Sequence, residues 1–162
     1  MQSISPETEN QPNYTNNEPD PTALATVKSG ANWFYWIAGL SLVNSAIYAF
    51  GGDISFILGL AVTQLVEGVS EAMIAEGAPA AMKFVAIVVN LVITAIFALF
   101  GYFANKRFAA AFIIGSVLYA LDGLIYLALG SMFAAGFHVF ALFFIIRGFL
   151  ASRQLPKYSE AA

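Results

Sequence analysis

Cysteine is absent from this chain, histidine occurs once, and charge is scarce. The first absence excludes disulfides, thiolate nucleophiles and thiolate metal sites, and leaves the redox compartment open. A single imidazole, His138, excludes bis-histidine haem within one chain, and no Glu-x-x-His spacing exists. Asp, Glu, Lys and Arg make up 10% of the 162 residues, where soluble domains carry about 25%. No basic patch is available to neutralise phosphates along a duplex, so nucleic acid is not an expected partner. Nucleotide is not expected either. The chain has no Walker pattern, no dinucleotide fingerprint and no serine in a Gly-x-Ser-x-Gly context. No cofactor is implied.

What is present is apolar: 59% of the residues, against about 45–50% in soluble domains. A helix crossing a hydrocarbon core of about 30 Å needs about 20 such residues. The segments 31–50, 54–75, 81–104, 108–129 and 131–151 have that length, and lipid offers their backbones no hydrogen-bond partners, so each is expected to be helical. Turn chemistry separates them at Gly51-Gly52-Asp53, Gly77-Ala78-Pro79, Asn105-Lys106-Arg107 and Gly130-Ser131. Links this short make successive helices antiparallel. Trp33, Tyr35 and Trp36 resemble an interfacial anchor. The expected fold is therefore an all-α integral membrane protein, a compact antiparallel bundle of five membrane helices over 29–152. Residues 1–28, rich in Pro, Asn, Thr and Glu, are expected to be a disordered acidic tail, and 153–162 a short polar one. Residues 1–28 lack the basic and apolar regions of a secretory signal, and the Asn13-Tyr14-Thr15 acceptor pattern fits coincidence.

The second span is the ambiguous one. Only Ile54 to Val66 precede Glu67, a length that also suits a re-entrant or interfacial segment, giving an alternative of four crossings plus one such helix. The positive-inside rule prefers that alternative: with four crossings, Lys28 joins Lys106, Arg107, Arg153 and Lys157 on one side, and only Lys83 opposes. In favour of five is a faint duplication, Asn44-Ser45-Ala46-Ile47-Tyr48 before Gly52 against Asp122-Gly123-Leu124-Ile125-Tyr126 before Gly130. It would make inverted two-helix repeats, as in some transporters. Either topology puts the C-terminus in the cytoplasm, and a bacterial inner or plasma membrane is the expected location.

Polar residues interrupt the middle of these spans, and ionisable groups at membrane depth need an explanation, since even translocon scales charge about 2.5–3.5 kcal/mol for a central aspartate. Glu67, Asn90, Asp122 and His138 fall at similar depth and form a candidate proton or ligand site. Asn44 and Gln64 support it, as do Tyr119 and Tyr126, which share a helical face with Asp122 and are placed to donate to its carboxylate. Ser41, Ser45 and Ala49 form a small-residue stripe that permits close helix approach.

Three function classes fit. A structural, accessory or assembly membrane protein would use these residues as interhelical glue. A proton- or cation-coupled or small-solute transporter would use Asp122 and Glu67 as exchanging acids, with His138 as the group titrating near neutrality. An intramembrane metal enzyme would draw on Glu67, Asp122 and His138 as ligands. The first is favoured, catalysis is not, and the expected partners are the bilayer, other membrane subunits or further copies of the chain.

Overall fold

The computed structural model describes residues 19–51 and 59–155, all helix and connecting turn with no strand among them. Five helices follow one another: α1 (Pro21–Ala49), α2 (Ala61–Ala75), α3 (Ala81–Asn105), α4 (Ala109–Ala128) and α5 (Met132–Gln154). Of these, α3, α4 and α5 are long and apolar enough to cross a membrane. That makes the chain a membrane protein by length and composition.

Two boundaries depart from the sequence expectation. α1 starts at Pro21, ten residues before 31, so the last residues assigned to the 1–28 tail are helical. The cause is local: Asp20 accepts the Thr22 N–H at 2.8 Å and Pro21 sits in the first turn, a cap that the search for an apolar run passes over. α2 begins at Ala61 instead of 54 and has 15 residues, so it is about 22 Å long and shorter than a bilayer core. The repeat would equate α2 with α5, yet α5 has 23 residues against 15. Residues 1–18, including Asn13-Tyr14-Thr15, the link residues Gly52 and Asp53, the segment 54–58, and 156–162 with Lys157 lie outside the described residues.

The long helices alternate in direction. Asn105 at the end of α3 meets Asn32 near the start of α1, while Lys83 at the start of α3 lies 4.6 Å over the Tyr48 ring at the end of α1. Along α4 and α5, Phe112 pairs with Phe149 and Tyr126 with His138. α1 and α5 meet backbone to backbone at Gly30 and Gly148, where an added Cβ would come within 2.7 Å of the facing Cα. Lys28, Lys106, Arg107 and Arg153 therefore gather at one end of the bundle, the basic end. α1 finishes and α3 starts at the opposite end, so the intervening chain leaves and returns there, with Leu60 and Ala61 fully interior on the way.

Burial is inverted relative to a soluble protein. Large apolar side chains such as Leu91, Val92, Leu121, Leu124, Val139 and Phe143 face outward, whereas Asn44, Glu67, Asn90, Asp122 and His138 are all buried. This is the arrangement that lipid, as the surrounding solvent, permits.

Candidate polar site at the start of the short helix

An α-helix begins with backbone N–H groups that have no intrahelical acceptor, and a buried beginning must find acceptors elsewhere. At α2 they come from other helices. Asp122 of α4 accepts the Ala61 N–H on Oδ2 at 2.8 Å and the Val62 N–H on Oδ1 at 2.9 Å. The Ser41 hydroxyl of α1 accepts the Leu60 N–H at 2.9 Å and itself donates to the Ile37 carbonyl. Thr63 donates to the Leu60 carbonyl at 2.8 Å, closing the first turn on itself. Asp122 thus caps α2 from across the bundle, with both its oxygens at the positive end of the helix dipole.

His138 of α5 completes this half. Its Nδ1 lies 2.9 Å from the Ala134 carbonyl and its Nε2 lies 2.9 Å from Asp122 Oδ2. A carbonyl only accepts, so Nδ1 carries hydrogen. The second contact then holds one proton, either on an imidazolium facing a carboxylate or on a carboxyl facing a neutral imidazole. Either way the pair has no net charge, which is how two ionisable groups, each no more than 5% exposed, are accommodated away from water. Tyr119 stacks on the imidazole at 4.2 Å, and Tyr126 borders it at 5.2 Å. Gly123 makes the close approach possible, since a Cβ there would come within 2.9 Å of the His138 Cβ.

A second group of bonds lies one turn further along α2. Glu67 Oε1 accepts from Asn90 Nδ2 of α3 at 2.7 Å and from Ser45 Oγ of α1 at 3.1 Å. Asn90 Nδ2 also reaches the Thr63 carbonyl at 3.2 Å and Ser45 Oγ at 3.1 Å. Gln64, half-buried, sits between the two groups on α2, and the Asn44 amide fills the space that a side chain at Gly59 would need.

The four residues expected at one depth are therefore all brought to the first two turns of α2, as two bonded pairs, Asp122–His138 and Glu67–Asn90. Two expectations fail. Neither tyrosine donates to Asp122: Tyr126 donates to the Gly59 carbonyl at 3.3 Å, and Tyr119, whose ring stacks on His138, has no hydrogen-bond partner for its hydroxyl among the described residues. Nor do Glu67, Asp122 and His138 form a ligand triad. Glu67 is bonded to Asn90 and Ser45, both Asp122 oxygens face backbone N–H groups, and no metal-holding cluster occurs among the described residues.

The two backbone N–H groups that Asp122 binds leave no mark in the sequence, and the roles of Ser41, Ser45, Thr63 and Gly123 around them follow only from the geometry. Ser41 and Ser45 had a signal in their spacing of four, but they act here as hydrogen-bonding groups for α2 and Glu67 rather than as spacers. No protein-family model, curated protein or solved structure matches the chain.

Proposed function

We propose that this is a structural or accessory integral membrane protein, and that its internal polar cluster is a latch holding a re-entrant half-helix. In this reading α1, α3, α4 and α5 cross the bilayer, and α2 enters from the end opposite the basic one and returns to it. The observation that carries it is the double acceptance by Asp122. Both carboxylate oxygens face the α2 N-terminus and one also faces His138, so the acid is already engaged by protein groups. The clustering of Lys28, Lys106, Arg107 and Arg153 supports four crossings and a cytoplasmic basic end, where α1 starts and α5 finishes. The partners are the bilayer and other membrane subunits or copies.

Proton-coupled transport is the second reading, and a specific observation favours it. The Asn90 Oδ1, Thr94 Oγ1 and Tyr119 hydroxyl oxygens are buried without a hydrogen-bond partner among the described residues, and the Tyr119 ring stacks on His138 of the pair that shares one proton. Such groups are ordinarily satisfied by water.

Asp122→Asn in the full chain separates the readings. A latch predicts lower thermal stability, with proton and cation flux in proteoliposomes no different from that of the unmodified protein or of protein-free vesicles. Flux carried by the unmodified protein and lost in a well-folded Asp122→Asn variant would replace the latch with transport.

A further inference from the structure

The basic end holds a cavity of about 660 Å³ lined by Pro21, Leu24, Val27 and Lys28 of α1 and by Lys106 and Arg107 at the end of α3. Its size lies within the range of small-molecule sites, roughly 300–1,000 Å³. The Lys106 ammonium sits 4.4 Å over the Tyr102 ring, and Arg107 is half-buried. Asp20, adjacent in the chain, directs its carboxylate to the Thr22 N–H.

A second observation concerns the backbone. α2, α3 and α4 all end in the same double hydrogen bond: Gly77 N–H to Ile74 and Ala78 N–H to Met73; Arg107 N–H to Ala104 and Phe108 N–H to Phe103; Gly130 N–H to Leu127 and Ser131 N–H to Tyr126. This Schellman closure puts the residue after the cap in the left-handed region, where glycine is preferred. Gly77 and Gly130 occupy it with φ of 100° and 75°, and Gly51 after α1 has 76°. α3 alone places another residue there, Arg107 at φ 64°, the one positive-φ non-glycine residue among those described. A guanidinium at a position where glycine would be easier for the backbone, and on the wall of a cavity with two lysines, points to use of its charge.

We propose that this cavity binds the phosphate-bearing headgroup of an anionic phospholipid. Arg107 makes the principal contact, Lys28 and Lys106 contribute charge, and Leu24 and Val27 give the cavity an apolar wall. The site is at the bundle surface, where anionic headgroups lie, and is far from the polar latch, so it stands whether or not that reading does.

The test uses the full chain in phosphatidylcholine nanodiscs with and without phosphatidylglycerol, following thermal unfolding and counting retained lipids by native mass spectrometry. The unmodified protein should be stabilised by phosphatidylglycerol and retain it. Arg107→Gly should lose retention on the order of tenfold. Melting of each variant in phosphatidylcholine alone is read beside retention, which separates lost folding from lost lipid, and Arg107→Lys, which keeps the charge, should retain more lipid than Arg107→Gly. Lys83→Gln at the opposite end should change neither reading. Absence of stabilisation by phosphatidylglycerol, or full retention by Arg107→Gly, would overturn the proposal. Full replacement of the lipid effect by inorganic phosphate would overturn the assignment to lipid.

Discussion

The two halves of this bundle are built from different chemistry. Toward the basic end, where four helices pack, the core is aromatic and aliphatic: Phe34 against Phe100 and Phe112, Phe97 against Tyr119, with Val27, Ala31, Ala104 and Ala111 filling between. Toward the opposite end, where α2 joins them, the core contains Ser41, Asn44, Ser45, Thr63, Glu67, Asn90, Asp122 and His138. Four complete helices satisfy their own backbones and leave only shape to match. A helix that begins inside the bundle brings unsatisfied N–H groups with it, and acceptors must be supplied there. The polar residues are found where the helix end is, and their placement follows from it.

The comparison breaks most visibly at Asp122. Asp122→Ala removes the acceptors of Ala61 and Val62 and strands His138, so a loss of about 3–5 kcal/mol is expected in equilibrium unfolding in mixed micelles. Amide exchange at residues 61 and 62 should rise with it. In the apolar half, Phe112→Ala should cost about 3 kcal/mol, the low end for a buried aromatic, because lipid is nearly as apolar as the vacated core. Exchange at residues 61 and 62 should stay unchanged in that variant. An equal rise in both would mean that the halves are one cooperative unit.

Smaller changes sharpen the picture. Gly123→Ala would force α4 and α5 apart at His138, for which about 1–3 kcal/mol and a displaced His138 ring resonance in NMR spectra are expected. Glu67→Gln keeps the Oε1 acceptor that Asn90 and Ser45 use, so its effect should be about 0.6 kcal/mol or less in the same unfolding assay. A loss as large as that of Asp122→Ala would show that the charge of Glu67, and not its hydrogen-bond geometry, holds this group together.

Much of this was legible in the residues. The spans of α3, α4 and α5 were placed within three residues at every end, because lipid-facing helices are recognisable from apolar length and flanking turns. The early start of α1 was not read, because residues 21–30 are helical through a cap and packing rather than through an apolar run. For α2, composition could not separate a short crossing from a half-helix, since the distinction rests on where its first turn sits. Glu67, Asn90, Asp122 and His138, expected at one depth from their positions in the spans, lie along the first two turns of α2, whereas neither Tyr119 nor Tyr126 donates to Asp122.

The amino-acid sequence by itself determined that the chain belongs in a bilayer, that its backbone is helical there, and that buried acids and an imidazole had to find partners, because transfer energies and obligatory backbone bonding depend on residue type alone. The choice of partners was decided only by tertiary structure. Asp122 meets two backbone N–H groups 61 and 60 residues away because the start of α2 lies in the interior, and backbone donors carry no side-chain signature from which that meeting could be read.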